Sequence, residues 1–141
     1  MKIPQLSVFL ENKTGRLAHV TRVLREAKVN ILALSLADTS DFGILRLIVD
    51  DMGGAKSALA DENIVSMVNE VTAVEVENKP GGLARILDTL EECGVNVEYM
   101  YAFAESHSDN AALIFRFDDP DAAIECLAKA DINVIPGGQV F

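Results

Sequence analysis

The chain states one pattern twice. Glu11-Asn12-Lys13-Thr14-Gly15-Arg16-Leu17-Ala18 returns as Glu77-Asn78-Lys79-Pro80-Gly81-Gly82-Leu83-Ala84, and Val29-Asn30-Ile31 returns as Val95-Asn96-Val97, both at an offset of 66. Asp50-Asp51 returns as Asp118-Asp119 at an offset of 68, so the second copy carries two extra residues between these marks. A long period that occurs only twice points to a duplicated domain rather than a solenoid. The 141 residues therefore divide into two domains, 1–70 and 71–141. Units this small bury little core alone, so the copies are expected to pack on each other or on a second chain.

Each copy reads strand, helix, strand, strand, helix, strand. Leu6, Val8 and Leu10 alternate with Ser7, Phe9 and Glu11, which gives a strand with one apolar face. Thr14-Gly15 breaks it and opens a helix with the stripe Leu17, Val20, Val23, Leu24 and Ala27. Val29 to Ala37 and Gly43 to Val49 form a hairpin around Asp38-Thr39-Ser40-Asp41. Asp50-Asp51 opens a short helix through Ala60, and a last strand lies near Ile64 to Val68. In the second copy Ala73 to Val76 is the first strand, and Leu83, Ile86, Leu87, Leu90 and Cys93 stripe the helix. Gly94 stands where a left-handed C-cap residue belongs. Val95 to Ala104 and Ala111 to Phe117 form the hairpin, Asp118-Asp119-Pro120 opens the second helix, and Ile132 to Ile135 ends the copy before a Gly137-Gly138 turn and Val140-Phe141. Asn69-Glu70-Val71 joins the copies without a linker, which favours a fixed arrangement. The order βαββαβ predicts an α+β chain of two ferredoxin-like layers, each an antiparallel sheet with its helices on one face. That fold hosts many unrelated activities.

Composition excludes several of them. With 22 Asp and Glu against 12 Lys and Arg, the net charge is −10. Such a polyanion is not drawn to phosphate backbones or anionic lipid, and no basic stripe offsets it, so neither nucleic acid nor membrane is expected as a partner. No apolar run is long enough to span a bilayer and none resembles a signal peptide, so a cytoplasmic protein is expected. Cys93 and Cys126 form no C-x-x-C pair, which removes zinc and thioredoxin chemistry and leaves buried, reduced thiols as the expectation.

Two positions in each copy suit a small polar ligand. Gly15 and Gly81 allow a tight turn and the close approach of another group. The helix that follows presents unpaired N–H groups and a positive dipole end to a carboxylate. Asn12 and Asn78 offer a donor and an acceptor beside it, suited to the zwitterionic head of an amino acid, or they simply cap the turn. Asn30 and Asn96 are poor strand formers at the head of a strand, held there by a ligand or by the helix-to-strand turn itself. Strand polarity puts each Asn at the sheet end opposite its own glycine turn, where a neighbouring antiparallel domain could bring the two together. His19 and His107 are expected to face solvent, and Asp38, Asp41, Asp50, Asp51, Asp118, Asp119 and Asp121 are explained by turns and helix caps. No nucleophile–base pair, phosphate loop, metal set or cofactor motif is present.

At these residues the chain resembles the ACT domain, the small regulatory module of amino-acid metabolism. Asn78-Lys79-Pro80-Gly81-Gly82-Leu83 with Gly94-Val95-Asn96-Val97 matches its x-Pro-Gly-x-Leu and Gly-x-Asn-Ile signature closely. Asn12-Lys13-Thr14-Gly15-Arg16-Leu17 with Lys28-Val29-Asn30-Ile31 matches with substitutions, Thr14 replacing proline and Asn replacing the commoner acidic residue. The resemblance covers nearly the whole chain, as a tandem pair with no catalytic domain attached. It implies two ACT-type sheets packed side by side, a homodimer, and a free amino acid bound where the glycine turn of one domain meets the second strand of its neighbour. By that implication Asn12, Gly15, Arg16 and Leu17 work with Asn96 and Val97, while Asn78, Gly81, Gly82 and Leu83 work with Asn30 and Ile31. Arg16 against Gly82 makes the two sites unequal in size and charge.

The leading expectation is a non-catalytic amino-acid sensor that regulates a partner through ligand-dependent packing. An acylphosphatase-type enzyme is an alternative, since Arg16 sits beside Gly15, but the surrounding loop is wrong and the second copy has Gly82 there. A structural regulatory subunit of an amino-acid biosynthetic enzyme is another. An RNA-binding module would need exposed aromatics and a basic sheet face; Phe103, Phe115 and Phe117 supply rings but the net charge opposes it.

Overall fold

A computed structural model describes residues 1–103 and 109–137. The chain divides into two compact units, one of Pro4–Asn69 and one of Met1–Ile3 with Glu70–Phe141. They are called here the first-repeat and second-repeat units.

The first-repeat unit is built from β1 (Lys2–Glu11), α1 (Arg16–Glu26), β2 (Ile31–Asp38), β3 (Phe42–Val49) and α2 (Met52–Asp61). Its sheet runs β2–β3–β1, all antiparallel, with Leu6 opposite Leu47 and Leu34 also opposite Leu47. The chain leaving α2 returns to the free side of β1, where the Phe9 N–H donates to the Val65 carbonyl at 3.0 Å. Leu6, Val8, Leu45, Leu47 and Val49 point to one sheet face, and Val20, Leu24, Ala55 and Leu59 of the two helices close over it. The alternation of β1 and the helical period of α1 therefore meet in a single core.

The second-repeat unit repeats this build. β4 (Ser66–Val76) begins in the first-repeat unit and supplies its last seven residues to the second, followed by α3 (Gly82–Glu92), β5 (Val97–Ala102), β6 (Ala111–Phe117), α4 (Pro120–Lys129) and β7 (Val134–Ile135). The strand order is β5–β6–β4–β7, antiparallel throughout. Val74, Val76, Phe115 and Phe117 face Ile86, Leu90, Ala123 and Leu127. The rings of Phe115 and Phe117 stack with centroids 5.3 Å apart. Both are fully buried. They are core residues, so neither ring can stack on a base, and Phe103, the third ring of that reading, is half-buried. This is the α+β architecture of two ferredoxin-like domains.

Several local expectations shift. The second strands start at Ile31 and Val97 rather than Val29 and Val95, because the preceding Asn backbones are engaged elsewhere. Leu17 and Leu83, at the head of each helix stripe, are exposed by 36% and 38%, and burial begins one turn later at Val20 and Ile86. Gly94 does adopt the left-handed conformation, with φ +71°. His19 is half-buried rather than solvent-facing. His107, the rest of the 104–108 hairpin tip, Gly138 and Val140-Phe141 lie outside the described residues.

The largest correction concerns the cysteines. Cys93 and Cys126 are joined in a disulfide, with Cα atoms 6.4 Å apart. Cys93 is the exposed C-cap of α3 and Cys126 lies on the buried face of α4, so the packing of these two helices brings together residues 33 positions apart. Reduced, buried thiols are not what this fold holds.

Candidate functional site

The glycine turns form as the sequence requires. Gly15 and Gly81 stand at the N-caps of α1 and α3 with φ +88° and +89°, a conformation that costs an L side chain about 1–2 kcal/mol. Neither helix receives a side-chain cap; the first N–H of each is taken by its own turn, and those of Leu17 and Ala18 and of Leu83 and Ala84 gain no side-chain acceptor. The turns are closed by matching bonds: Lys13 N–H to Glu11 O and Lys79 N–H to Glu77 O at 2.9 Å, then Arg16 N–H to Lys13 O at 3.2 Å and Gly82 N–H to Lys79 O at 3.1 Å. Asn12 does not cap its turn. Its Nδ2 donates to the Thr39 carbonyl at 3.3 Å, tying the turn to the β2–β3 hairpin. Asn78 is exposed at the equivalent position.

At position 16 the copies part. Arg16 is exposed and reaches Glu11 at 4.0 Å, next to a closer Lys13–Glu11 pair at 2.9 Å. Lys13, and after it Arg16, hold the Glu11 carboxyl below the ordinary glutamate value, as Lys79 does for Glu77. Gly82 is buried, and a Cβ there would overlap the Glu77 carbonyl oxygen. The backbone of the second turn thus lies closer to its helix than any larger residue would allow.

Asn30 and Asn96 are exposed, and their backbones account for their placement. The Asn30 N–H donates to Asp50 Oδ1 at 2.9 Å while the Asp50 N–H donates to the Asn30 carbonyl at 3.1 Å. Asn96 and Asp118 repeat the exchange at 3.0 and 3.2 Å. The duplicated Asp-Asp pairs therefore divide their work. The first Asp clips the Asn backbone, and the second caps the helix, Asp51 accepting from Gly54 N–H at 2.9 Å and Asp119 from Ala122 N–H at 3.1 Å. Within each unit the Asn lies far from the glycine turn. Glu11 is level with Phe42 and Ile31 with Val49, at opposite ends of β3 and roughly 20 Å apart. Val76 beside Ala111 and Val97 beside Phe117 repeat this in the second-repeat unit. Ile31 and Val97 are half-buried.

A cleft of about 360 Å³ opens beside the second turn, lined by Lys79 to Gly82, by Arg85 and Ile86 of α3, by Glu75, and by Asn110, Asp131 and Asn133. Glu75 is fixed from both sides: Asn110 Nδ2 donates to its Oε1 at 2.8 Å and Asn133 Nδ2 to its Oε2 at 2.7 Å. Those bonds, Asn133 first, hold its carboxyl below the ordinary value, so it is ionised near neutrality. An ionised carboxylate has about four acceptor positions, and the two amides leave the others open. Arg85 Nη2 donates to the Ala130 carbonyl at 2.9 Å, which steadies the guanidinium at the cleft wall with most of its donors unused. The cleft thus combines a fixed anion, a fixed cation, an uncapped helix start and an apolar floor from Val76, Ile86 and Ile132. No group of three or more His, Cys, Asp or Glu placed to hold a metal exists among the described residues.

Glu75, Arg85, Asn110 and Asn133 were not singled out from the sequence. The signal that would have found them is a comparison of the two copies, because their counterparts Phe9, His19, Phe42 and Val65 are apolar or weakly basic.

No described helix is long and apolar enough to cross a membrane. A model of the ACT domain pair matches residues 1–139. Curated protein sequences gave no match. Among solved structures, protein BT0572 from Bacteroides thetaiotaomicron is 39% identical, with 99% of this chain and 96% of that one covered at a TM-score of 0.92. The regulatory subunit of aspartate kinase from Thermus thermophilus, in its ligand-free form, shares the fold at 16% identity and a TM-score of 0.60, over 90% of this chain and 91% of that one. The corresponding subunit from Thermus flavus does so at 14% identity and 0.60, over 91% and 92%. With its two glycine turns, two clipped asparagines and family match over nearly its whole length, the chain belongs to the ACT domain pair family.

Proposed function

We propose that this protein is a non-catalytic regulatory module whose effector is a free amino acid. The observation that carries this is the polar cleft at the Gly81–Gly82 turn, where a fixed carboxylate, a fixed guanidinium and an uncapped helix start converge on a space of about 360 Å³. That set of charges complements a zwitterion, and ordinary ligand sites begin at about this volume. The likeness to aspartate kinase regulatory subunits supports a regulatory role. A homodimer belongs to the same reading, with the exposed side chains of Asn30 and Asn96, beside the half-buried Ile31 and Val97, at the sheet ends opposite the turns to meet a neighbouring domain. So does a cytoplasmic location, the part against which the Cys93–Cys126 bond weighs, since disulfides are rare in reducing compartments.

A thermal-shift screen against the twenty proteinogenic L-amino acids tests the reading. An effector at ten times its Kd adds about 1.4 kcal/mol to the folded state, a rise on the order of 5 °C for a unit of this size. One or two amino acids are expected to raise the melting temperature. No shift with any of them sinks the free-amino-acid reading.

A further inference from the structure

Resting on the amino-acid reading, we infer that the chain carries one effector site rather than two, that it lies within the second-repeat unit, and that Glu75 receives the ligand's ammonium group there. Each unit taken by itself, the two differ at equivalent positions. The repeat offsets place Glu75 at Phe9, Gly82 at Arg16, Arg85 at His19, Asn110 at Phe42 and Asn133 at Val65. The strand registers agree, with Val76 opposite Ala111 in one unit and Leu10 opposite Gly43 in the other.

Gly15 and Gly81 share one conformation, although the chain runs closer to its helix at Gly82 than it can at Arg16. The side chains are not. Where the second-repeat unit has the Asn110–Glu75–Asn133 clasp, the first has Phe42, Phe9 and Val65, exposed by 62%, 40% and 66%. Where the second turn has Gly82, the first has the exposed Arg16, which lines a smaller cleft of about 220 Å³. That cleft includes two carboxylates, Glu62 and Glu11, the latter paired with Lys13 at 2.9 Å and within 4.0 Å of Arg16, and neither is held by a pair of amides.

What sets the second cleft apart is its clasped carboxylate. Glu77 pairs with Lys79 at 2.7 Å, and among the described residues Glu75 and Asp131 against Arg85 leave the lining an excess of one negative charge. An ammonium group is drawn to that excess, and Glu75 is the carboxylate oriented to receive it. The ligand's carboxylate then lies against Arg85 and the uncapped first turn of α3. No comparable clasp would form from Phe9, Phe42 and Val65.

Calorimetric titration of the full chain with each of the twenty L-amino acids tests this, on the wild type and on Glu75→Gln, Arg85→Gln and Arg16→Ala. Expected for the wild type is saturable binding with one site per chain. Glu75→Gln is expected to weaken it about tenfold to a hundredfold, since a charged partner is replaced by a neutral one of the same shape. Arg85→Gln, on the exposed side of α3, gives a second reading if Glu75→Gln fails to fold. Arg16→Ala leaves affinity unchanged. Two equivalent sites per chain, or wild-type affinity in both Glu75→Gln and Arg85→Gln, overturns the single-site inference while the effector reading stands. Flat traces from the wild type with every amino acid overturn both.

Discussion

Replacing Cys93 by Ala removes the cross-link between α3 and α4 and little else. Cys93 is exposed at the end of α3, so its truncation opens no cavity, and Cys126, only 6% exposed, is left as a small buried thiol of the kind cores accommodate. The bond closes a loop across 33 positions, all in the second-repeat unit. Chain entropy in the unfolded state then gives a loss of about 3–4 kcal/mol at 25 °C, which exceeds the propensity gain of an Ala at a helix end severalfold. The assay is urea unfolding followed by far-UV circular dichroism, on the wild type with and without a phosphine reductant and on Cys93→Ala. Because the chain has two units, a single transition is not assumed, and the transition in which residues 70–141 unfold is the one that should move. Reduced wild type and variant should coincide, both well below the oxidised protein. The reasoning is refuted if all three unfold together within about 0.5 kcal/mol, less than any loop-closure account permits. Two thiols per chain reacting in the denatured, unreduced protein would refute the cross-link itself.

Other outcomes follow from the turns and caps. Gly81→Ala should cost about 1–2 kcal/mol from its positive φ alone, since nothing obstructs a Cβ there, whereas Gly82→Ala should cost more because the Glu77 carbonyl would have to move; urea midpoints rank the two. Asp119→Ala should lose about 1 kcal/mol of helix cap, and Asp118→Ala a similar amount through the Asn96 clip, with amide exchange at Asn96 accelerated only in the second. Glu75 titrates below its ordinary value of 4.5, so the stability it contributes is present above that pH and is lost as the pH falls through the lower folded value. Acid-unfolding curves of wild type and Glu75→Gln should therefore be separated near neutrality and converge below pH 4.5.

What the sequence made legible was whatever repeats or alternates locally. The strand alternation of β1, the helical stripe of α1, the left-handed Gly94 and the caps Asp119-Pro120 each depend on residues a few positions apart, and each appears in the fold. The glycine turns were legible for the same reason. Three features were not, because they depend on which distant segments the fold brings together. Cys93 and Cys126 each sit in a helix, but nothing in a spacing of 33 says that α3 and α4 will place them within bonding reach. The role of Asp50 and Asp118 was hidden because an Asp-Asp pair before a helix reads entirely as capping, although the first member serves the Asn 20 or 22 residues earlier. Glu75 reads as the polar face of a strand until β7 and the β6 end bring Asn133 and Asn110 to its two oxygens. The copies share the turns and differ at the clasp.

The most direct test of the account is a backbone amide NMR titration of the isotopically labelled protein with the amino acid that raises its melting temperature most. The account predicts saturable shifts at Gly82 to Arg85 and in the Asn110 and Asn133 side-chain amides, with Arg16 to His19 unmoved. Equal shifts at both helix starts, or shifts confined to residues remote from the Gly81–Gly82 turn, would contradict it.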